Sequence, residues 1–169
     1  MQLGEVSEWG DIYSMLHKIN LNYEDIVKKE PVIIDFLTKN SDCFSVTVII
    51  KKPYSQIPPI FNYDAQIHPY ATKYIFEKKD WLVDFLGQLK HQIMVVCRCC
   101  KESRKMLLQM PNIFLPIKNN MPEDICYFRN GKLWFATISH EKMAFILNPT
   151  NEDIQFLREN KINFHSEIV

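Results

Sequence analysis

An Asn-Gly pair between two apolar, aromatic runs is the feature that most constrains the fold of this chain. The pair is Asn130-Gly131, and it lies within residues 125–138. A two-residue type I′ turn needs positive φ at both central residues, and Asn-Gly adopts that conformation at the least cost. The segment therefore predicts an antiparallel hairpin in the C-terminal third of the chain.

Apolar spacing along the rest of the chain predicts a mixture of helices and strands. Helices are predicted at residues 7–19, 80–89, 102–110 and 150–157, and two more begin at Asn22 and near Pro31. Strands are predicted at residues 43–51, 74–76, 93–97, 113–117, 143–147 and 162–168, whereas the proline-rich residues 52–72 predict an irregular connection. We expect a single α+β domain over residues 1–169, in which a mostly antiparallel sheet ends in a C-terminal hairpin or meander and helices pack on one face.

Charge and cysteine content narrow the classes of function. Lys and Arg together number 20, and so do Asp and Glu, which leaves no basic field to attract nucleic acid or a membrane surface. No run approaches the roughly 20 apolar residues of a membrane-spanning helix, and the N-terminus lacks the pattern of a secretory signal. Five cysteines without such a signal indicate reduced thiols. We therefore expect a cytoplasmic protein that binds neither membranes nor nucleic acid directly.

Linear catalytic motifs are missing from the sequence. The four glycines are too dispersed for a phosphate-binding loop. His140-Glu141 begins like a zinc-protease motif, but Ala144 stands where the second histidine would be needed. We expect no cofactor and no metal, and these patterns favour a protein that is not an enzyme. A catalytic site assembled from distant residues would leave no such trace and remains an alternative.

A cluster of cysteines offers a second chemistry. Cys97 and Cys100 have the spacing C-x-x-C between a predicted strand and a predicted helix, and Arg98 and Lys101 lie beside them. A helix N-terminus and nearby cations lower the pKa of a thiol and make it reactive. A zinc site is an alternative interpretation. Its ligands would come from Cys97, Cys99, Cys100 and His91, together with Cys43 or Cys126 if the fold brings one of them close. Cysteines are also common as small buried residues, so simple packing is the third alternative.

Part of the sequence resembles the thioredoxin family. The resemblance consists of the Cys97-x-x-Cys100 spacing, then Pro122 before a predicted strand, and then Phe128-Arg-Asn-Gly-Lys132. It implies a thiol redox protein that uses Cys97 and Cys100. Val96 stands where the family has a tryptophan before the first cysteine.

The interpretation that we favour from the sequence is a non-catalytic protein-binding module, such as an immunity or inhibitor protein that occludes the active site of a basic toxin domain. Residues 1–35 carry seven acidic residues against three lysines, and acidic surfaces speed association with basic partners. Aromatic residues anchor many interfaces. The partner-binding residues predicted on this basis are Asp11, Glu24, Asp25, Asp35, Tyr54, Phe61, Tyr63 and Tyr70.

Overall fold

An eight-stranded antiparallel sheet and four helices make up the parts of the chain that the computed structural model describes, which are residues 17–50, 67–83, 89–109 and 122–168. The strands are β1 (His17–Leu21), β2 (Cys43–Ile50), β3 (Ala71–Val83), β4 (Leu89–Arg98), β5 (Pro122–Arg129), β6 (Lys132–Ile138), β7 (Met143–Leu147) and β8 (Phe164–Ile168). The helices are α1 (Tyr23–Lys28), α2 (Glu30–Lys39), α3 (Lys101–Leu107) and α4 (Asn151–Glu159). The expected mixed α+β class is therefore confirmed.

The strands are ordered β3-β4-β2-β5-β6-β7-β1-β8 across the sheet. Every neighbouring pair is antiparallel. β5 and β6 are joined by Asn130 and Gly131, whose φ angles are 51° and 70°. Both residues therefore have the positive φ that the sequence predicted for this pair.

Local capping explains where the helices begin. The Asn22 side chain accepts a hydrogen bond of 3.1 Å from the Asp25 N–H at the start of α1, and Pro31 lies in the first turn of α2. Thr150 and Asp153 cap each other at the start of α4, since each side chain accepts a hydrogen bond from the other's backbone N–H. These helix starts are as predicted, because each depends on residues close together in the sequence.

Two predicted helices are wrong where the structure describes them. The helix predicted at residues 7–19 ends in strand, because β1 begins at His17 and pairs with β7 on one side and β8 on the other. The helix predicted at residues 80–89 is also strand at both ends, since β3 continues to Val83 and β4 begins at Leu89. In both places pairing between distant strands overrides the helical spacing of apolar residues.

Several strand predictions are confirmed in position. Residues 43–51 correspond to β2, residues 74–76 lie in β3, residues 93–97 lie in β4, and residues 143–147 form β7. The last predicted strand corresponds to β8, and the helix predicted at residues 102–110 corresponds to α3. The predicted strand at residues 113–117 and most of the predicted irregular connection lie outside the described residues.

The core lies between the sheet and helices from three parts of the chain. Phe44, Tyr127 and Phe135 lie on the adjacent strands β2, β5 and β6 and are fully buried, with successive ring centroids 5.8 Å and 5.9 Å apart. Leucines from α2, α3 and α4 bury against the same cluster, namely Leu37, Leu107 and Leu157. The packing of α2 and α3 on this core sets the position of the surface described next.

Candidate functional site

An ion-pair bridge joins α2 to α3 at the surface. Oδ1 of Asp35 lies 2.6 Å from Nε of Arg104, and Oδ2 of Asp35 lies 2.8 Å from Nζ of Lys39. One carboxylate therefore holds two cations, one from each helix. Oδ1 of Asp35 and Nε of Arg104 are buried and lack hydrogen-bond geometry toward each other, so their contact is a close ion pair.

The same residues show that α2 and α3 run in opposite directions. Lys39 lies one turn after Asp35 on α2, whereas Lys101 lies one turn before Arg104 on α3, yet the two lysines line one cavity. Val32 lies one turn before Asp35 on α2, and Leu108 lies one turn after Arg104 at the end of α3. Both therefore lie toward the end of the helix pair that is opposite the cavity. We call the exposed surface of the two helices the α2–α3 face, and it consists of Val32, Asp35, Lys39, Lys101, Arg104 and Leu108.

The α2–α3 face has an apolar end and a cationic end. Val32 is 45% exposed and Leu108 is 37% exposed, so this end presents apolar side chains to solvent. At the other end lies an open cavity of about 390 Å³, lined by Thr38, Lys39, Cys100, Lys101 and Arg104. Three of these side chains are cationic, and in the described part of the chain the carboxylates near them are those of Asp35 and Glu102, so positive charge is in excess and favours negatively charged groups.

The acidic residues predicted to meet a partner are held by neighbours in the same chain. Asp25 accepts hydrogen bonds from the backbone N–H and the side-chain amide of Asn163, at 2.9 Å and 2.8 Å. The backbone hydrogen bond from Asn163 is the main reason that the pKa of Asp25 lies below its ordinary value of 3.8. Glu24 is exposed and forms a surface ion pair of 3.6 Å with Lys28.

The structure describes four of the eight predicted site residues, and they lie on α1, on α2 and on a short 3₁₀ helix. Glu24 and Asp25 lie on α1, whereas Asp35 belongs to the α2–α3 face. Tyr70 ends the short 3₁₀ helix His68–Tyr70 and packs, half-buried, against the core. The remaining four, Asp11, Tyr54, Phe61 and Tyr63, lie outside the described residues.

The cysteines of the C-x-x-C motif differ in burial. Cys97 is fully buried on β4, and burial raises its pKa to about 12. Burial also raises the pKa of Cys99 to about 12. Cys100 is half-buried, and its Sγ accepts a hydrogen bond of 3.4 Å from the Ser103 N–H at the start of α3. In the described ranges, His, Cys, Asp and Glu side chains form no group that could hold a metal ion.

The cavity residues were not predicted as a site. Lys101 and Arg104 are recognisable in the sequence as part of a basic helix, and Asp35 and Lys39 have the spacing of a helical ion pair. Nothing in the sequence indicates that these two segments, more than sixty residues apart, pack side by side. Only the antiparallel pairing of the two helices brings the cations around one cavity.

Comparisons with known proteins give no relative for this arrangement. No protein-family model matches the chain, and neither a curated protein nor a solved structure matches it. In the ranges that the structure describes, none of the helices has the length and apolar character needed to cross a bilayer.

Proposed function

We propose that this chain is a non-catalytic protein-binding module, of the immunity or inhibitor type, that neutralises a toxin domain by covering its active site. The observation that carries the proposal is the α2–α3 face. It places exposed Val32 one turn before Asp35 and exposed Leu108 one turn after Arg104, and these two charged residues form an ion pair. Interfaces are enriched in arginine, and an arginine that already forms an ion pair loses less side-chain entropy when a partner binds.

The partner that we propose is a basic protein domain that meets α1 and the apolar end of the α2–α3 face, away from the cationic cavity. α1 leads directly into α2, and it exposes Glu24 and Val27. Glu24 is the acidic residue of α1 that is free to face a basic partner, since its pairing with Lys28 is exposed and weak. Asp35 contributes indirectly in this proposal, because it orders Arg104.

The proposed module is one domain in the cytoplasm. In this module, β5 and β6 form a hairpin that β7 extends into a meander, and the helices cover one face of the sheet. This arrangement is supported by the shared core of α2, α3 and α4, which makes the α2–α3 face a rigid platform. The five cysteines are free thiols, which fits a reducing compartment.

A thioredoxin-like redox protein is less well supported by the geometry. A redox dithiol needs an accessible thiolate with a lowered pKa. Cys97 is fully buried, and its pKa is raised to about 12. The binding module is therefore the function that we carry forward.

The test is to identify the partner and then map its contact. The purified chain is immobilised, its partner is captured from the source cells and identified by mass spectrometry, and the dissociation constant is then measured with both proteins purified. We expect Arg104→Ala and Leu108→Ala each to weaken binding by about tenfold or more. The matched control is Glu152→Ala, an exposed change on α4 that should leave the affinity within twofold.

The inhibitory part of the proposal has its own measurement. The enzymatic activity of the captured partner should fall to near zero as the molar ratio of this chain to the partner approaches one. A partner that keeps full activity when saturated would show binding without inhibition. A partner whose affinity is the same for all three variants would show that the α2–α3 face is not the contact.

A further inference from the structure

The cationic end of the α2–α3 face has more positive charge than its own carboxylate neutralises. Lys39 and Arg104 share the single carboxylate of Asp35, at 2.8 Å and 2.6 Å. Lys101 adds a third cation to the cavity lining. Its neighbour Glu102 is exposed, and its carboxylate interacts with Lys101 and accepts a hydrogen bond from the thiol of Cys100 at the edge of the cavity. Among the described residues, three cations face the two carboxylates of Asp35 and Glu102, which leaves one positive charge for a further anion.

The geometry of Arg104 fits it for that second anion. Its contact with Asp35 is made through Nε, which is one of the five N–H donors of a guanidinium. The side chain is only 35% exposed, so the group is held against the protein and not spread into solvent. The guanidinium also carries donors on both Nη atoms, and these match the oxygens of a phosphate group, with which arginine forms paired hydrogen bonds.

We propose that the cavity between α2 and α3 binds a phosphate group, either as free phosphate or as part of a small phosphorylated molecule. Lys39, Lys101 and Arg104 bind the anion, and Asp35 is a positioning residue that orients Arg104. The volume of about 390 Å³ lies in the range of about 300–1,000 Å³ that is usual for small-molecule sites. It leaves room for an organic group beside the phosphate.

A compact anion fits this cavity better than a polyanion does. Nucleic acid is bound by stripes of cations that follow its backbone over many phosphates. The three cations here line a single cavity. This proposal shares Arg104 with the proposed protein contact, but Lys101→Gln tests phosphate binding without changing either residue that is used to test the protein contact.

The test is an NMR titration of the ¹⁵N-labelled full chain at low ionic strength. The probes are inorganic phosphate and glycerol phosphate, and sodium chloride at matched ionic strength is the blank. We expect saturable shifts of backbone amides at the end of α2 and the start of α3. Arg104→Gln and Lys101→Gln should each weaken binding by about tenfold or more, because each removes a charge-assisted contact. Lys105→Gln, an exposed change on the same helix outside the lining, should stay within twofold.

The titration distinguishes three outcomes: the cavity binds a phosphorylated molecule, it binds free phosphate, or it binds neither. Tighter binding of glycerol phosphate than of inorganic phosphate assigns the cavity to a phosphorylated molecule, and equal or weaker binding assigns it to free phosphate. Shifts that stay linear with concentration, or that chloride reproduces, would overturn the proposal. Equal weakening by Lys105→Gln and Lys101→Gln would also overturn it. If the spectrum of Arg104→Gln shows an unfolded chain, Lys101→Gln decides the result.

Discussion

The guanidinium of Arg129 donates two hydrogen bonds to the carboxylate of Asp153, at 2.9 Å and 3.1 Å. Asp153 is 0% exposed, although it is an acidic residue. Its carboxylate also accepts hydrogen bonds from the Thr150 N–H at 2.8 Å and from Nε1 of Trp134 at 3.2 Å. The Nε of Arg129 donates to the Asn40 carbonyl at the end of α2. One carboxylate therefore ties α4 to β5 and β6, and its partner Arg129 continues the connection to α2.

Replacing Asp153 should be strongly destabilising. Asp153→Ala leaves the guanidinium of Arg129 partly buried without its anion, and breaking a buried ion pair on one side costs about 3–5 kcal/mol. We expect the free energy of unfolding in urea to fall by about that amount. The control Glu152→Ala changes the preceding, exposed carboxylate and should cost less than about 0.5 kcal/mol. Similar losses for both variants would show that the network does not stabilise the fold.

Trp134 contributes to the same network through its indole N–H. The Arg129 guanidinium lies 3.4 Å from the centre of the Trp134 ring. Trp134→Phe keeps an aromatic ring but removes the donor to Asp153, so we expect a loss of about 1–3 kcal/mol. In the Asp153→Ala background the same change should cost less, with a coupling of about 0.5–3 kcal/mol. Urea unfolding of the four proteins measures this coupling, and additive losses would contradict a shared network.

The position of Trp134 shows why sequence could not predict this network. Regular alternation along β6 places Trp134 and Phe135 on opposite faces of the sheet. The pairing register instead has a bulge at this point. Tyr127 on β5 pairs with Phe135 on β6, and the next residue, Phe128, pairs with Leu133, so Trp134 is passed over. Such a bulge re-aims a side chain, and Trp134 packs 5.8 Å from the ring of Phe36 on α2.

Features that depend on neighbouring residues were predicted well, and features that depend on distant ones were not. A helix was predicted to begin at residue 150, and the cap that starts it joins Thr150 to Asp153, three residues away. Its pairing with Arg129 joins residues 24 apart in the chain. The cavity on the α2–α3 face is a similar case. His17 and Leu89 belong to strands for the same reason, since strand pairing is decided by tertiary contacts.

The buried thiols should resist alkylation in the folded protein. Because burial raises the pKa of Cys97 to about 12 from an ordinary 9.0, only about one thiol in ten thousand is ionised at pH 8, against about one in ten in an unfolded chain. We expect iodoacetamide at pH 8 to leave Cys97 unmodified for hours, by peptide mass spectrometry, and to label it rapidly in urea. Rapid labelling of Cys97 in the folded chain would instead favour the redox alternative.

Acid should weaken the link between α1 and the segment before β8. The backbone N–H of Asn163 lowers the pKa of Asp25, so the charged carboxylate stabilises the fold above the ordinary pKa of 3.8. That stabilisation is lost as the pH falls through the lower pKa of the folded state. Asp25→Asn should be less stable than the parent at pH 7, and the difference should vanish near pH 2. Glu24→Gln is the control, because its exposed ion pair with Lys28 contributes little. A constant difference across this pH range would contradict the role of the charge.

The end of α4 offers a stabilising substitution. The Ile162 N–H donates to the Leu157 carbonyl at 2.8 Å, and the Lys161 N–H donates to the Arg158 carbonyl at 3.0 Å. These two bonds form a Schellman motif, in which the residue at the position of Lys161 is usually glycine because its φ is positive. Lys161 has φ 52°, so a side chain there is strained.

Lys161→Gly should therefore raise the free energy of unfolding by about 0.5–1 kcal/mol, since the relief of strain exceeds the entropy that glycine adds to the unfolded chain. Urea unfolding measures the change. Gly131→Ala is the matched opposite: its φ is 70°, and an added Cβ meets nothing within 4 Å, so backbone strain alone should destabilise it by about 1 kcal/mol. If both substitutions shift stability in the same direction, positive φ is not what limits stability at these two turns.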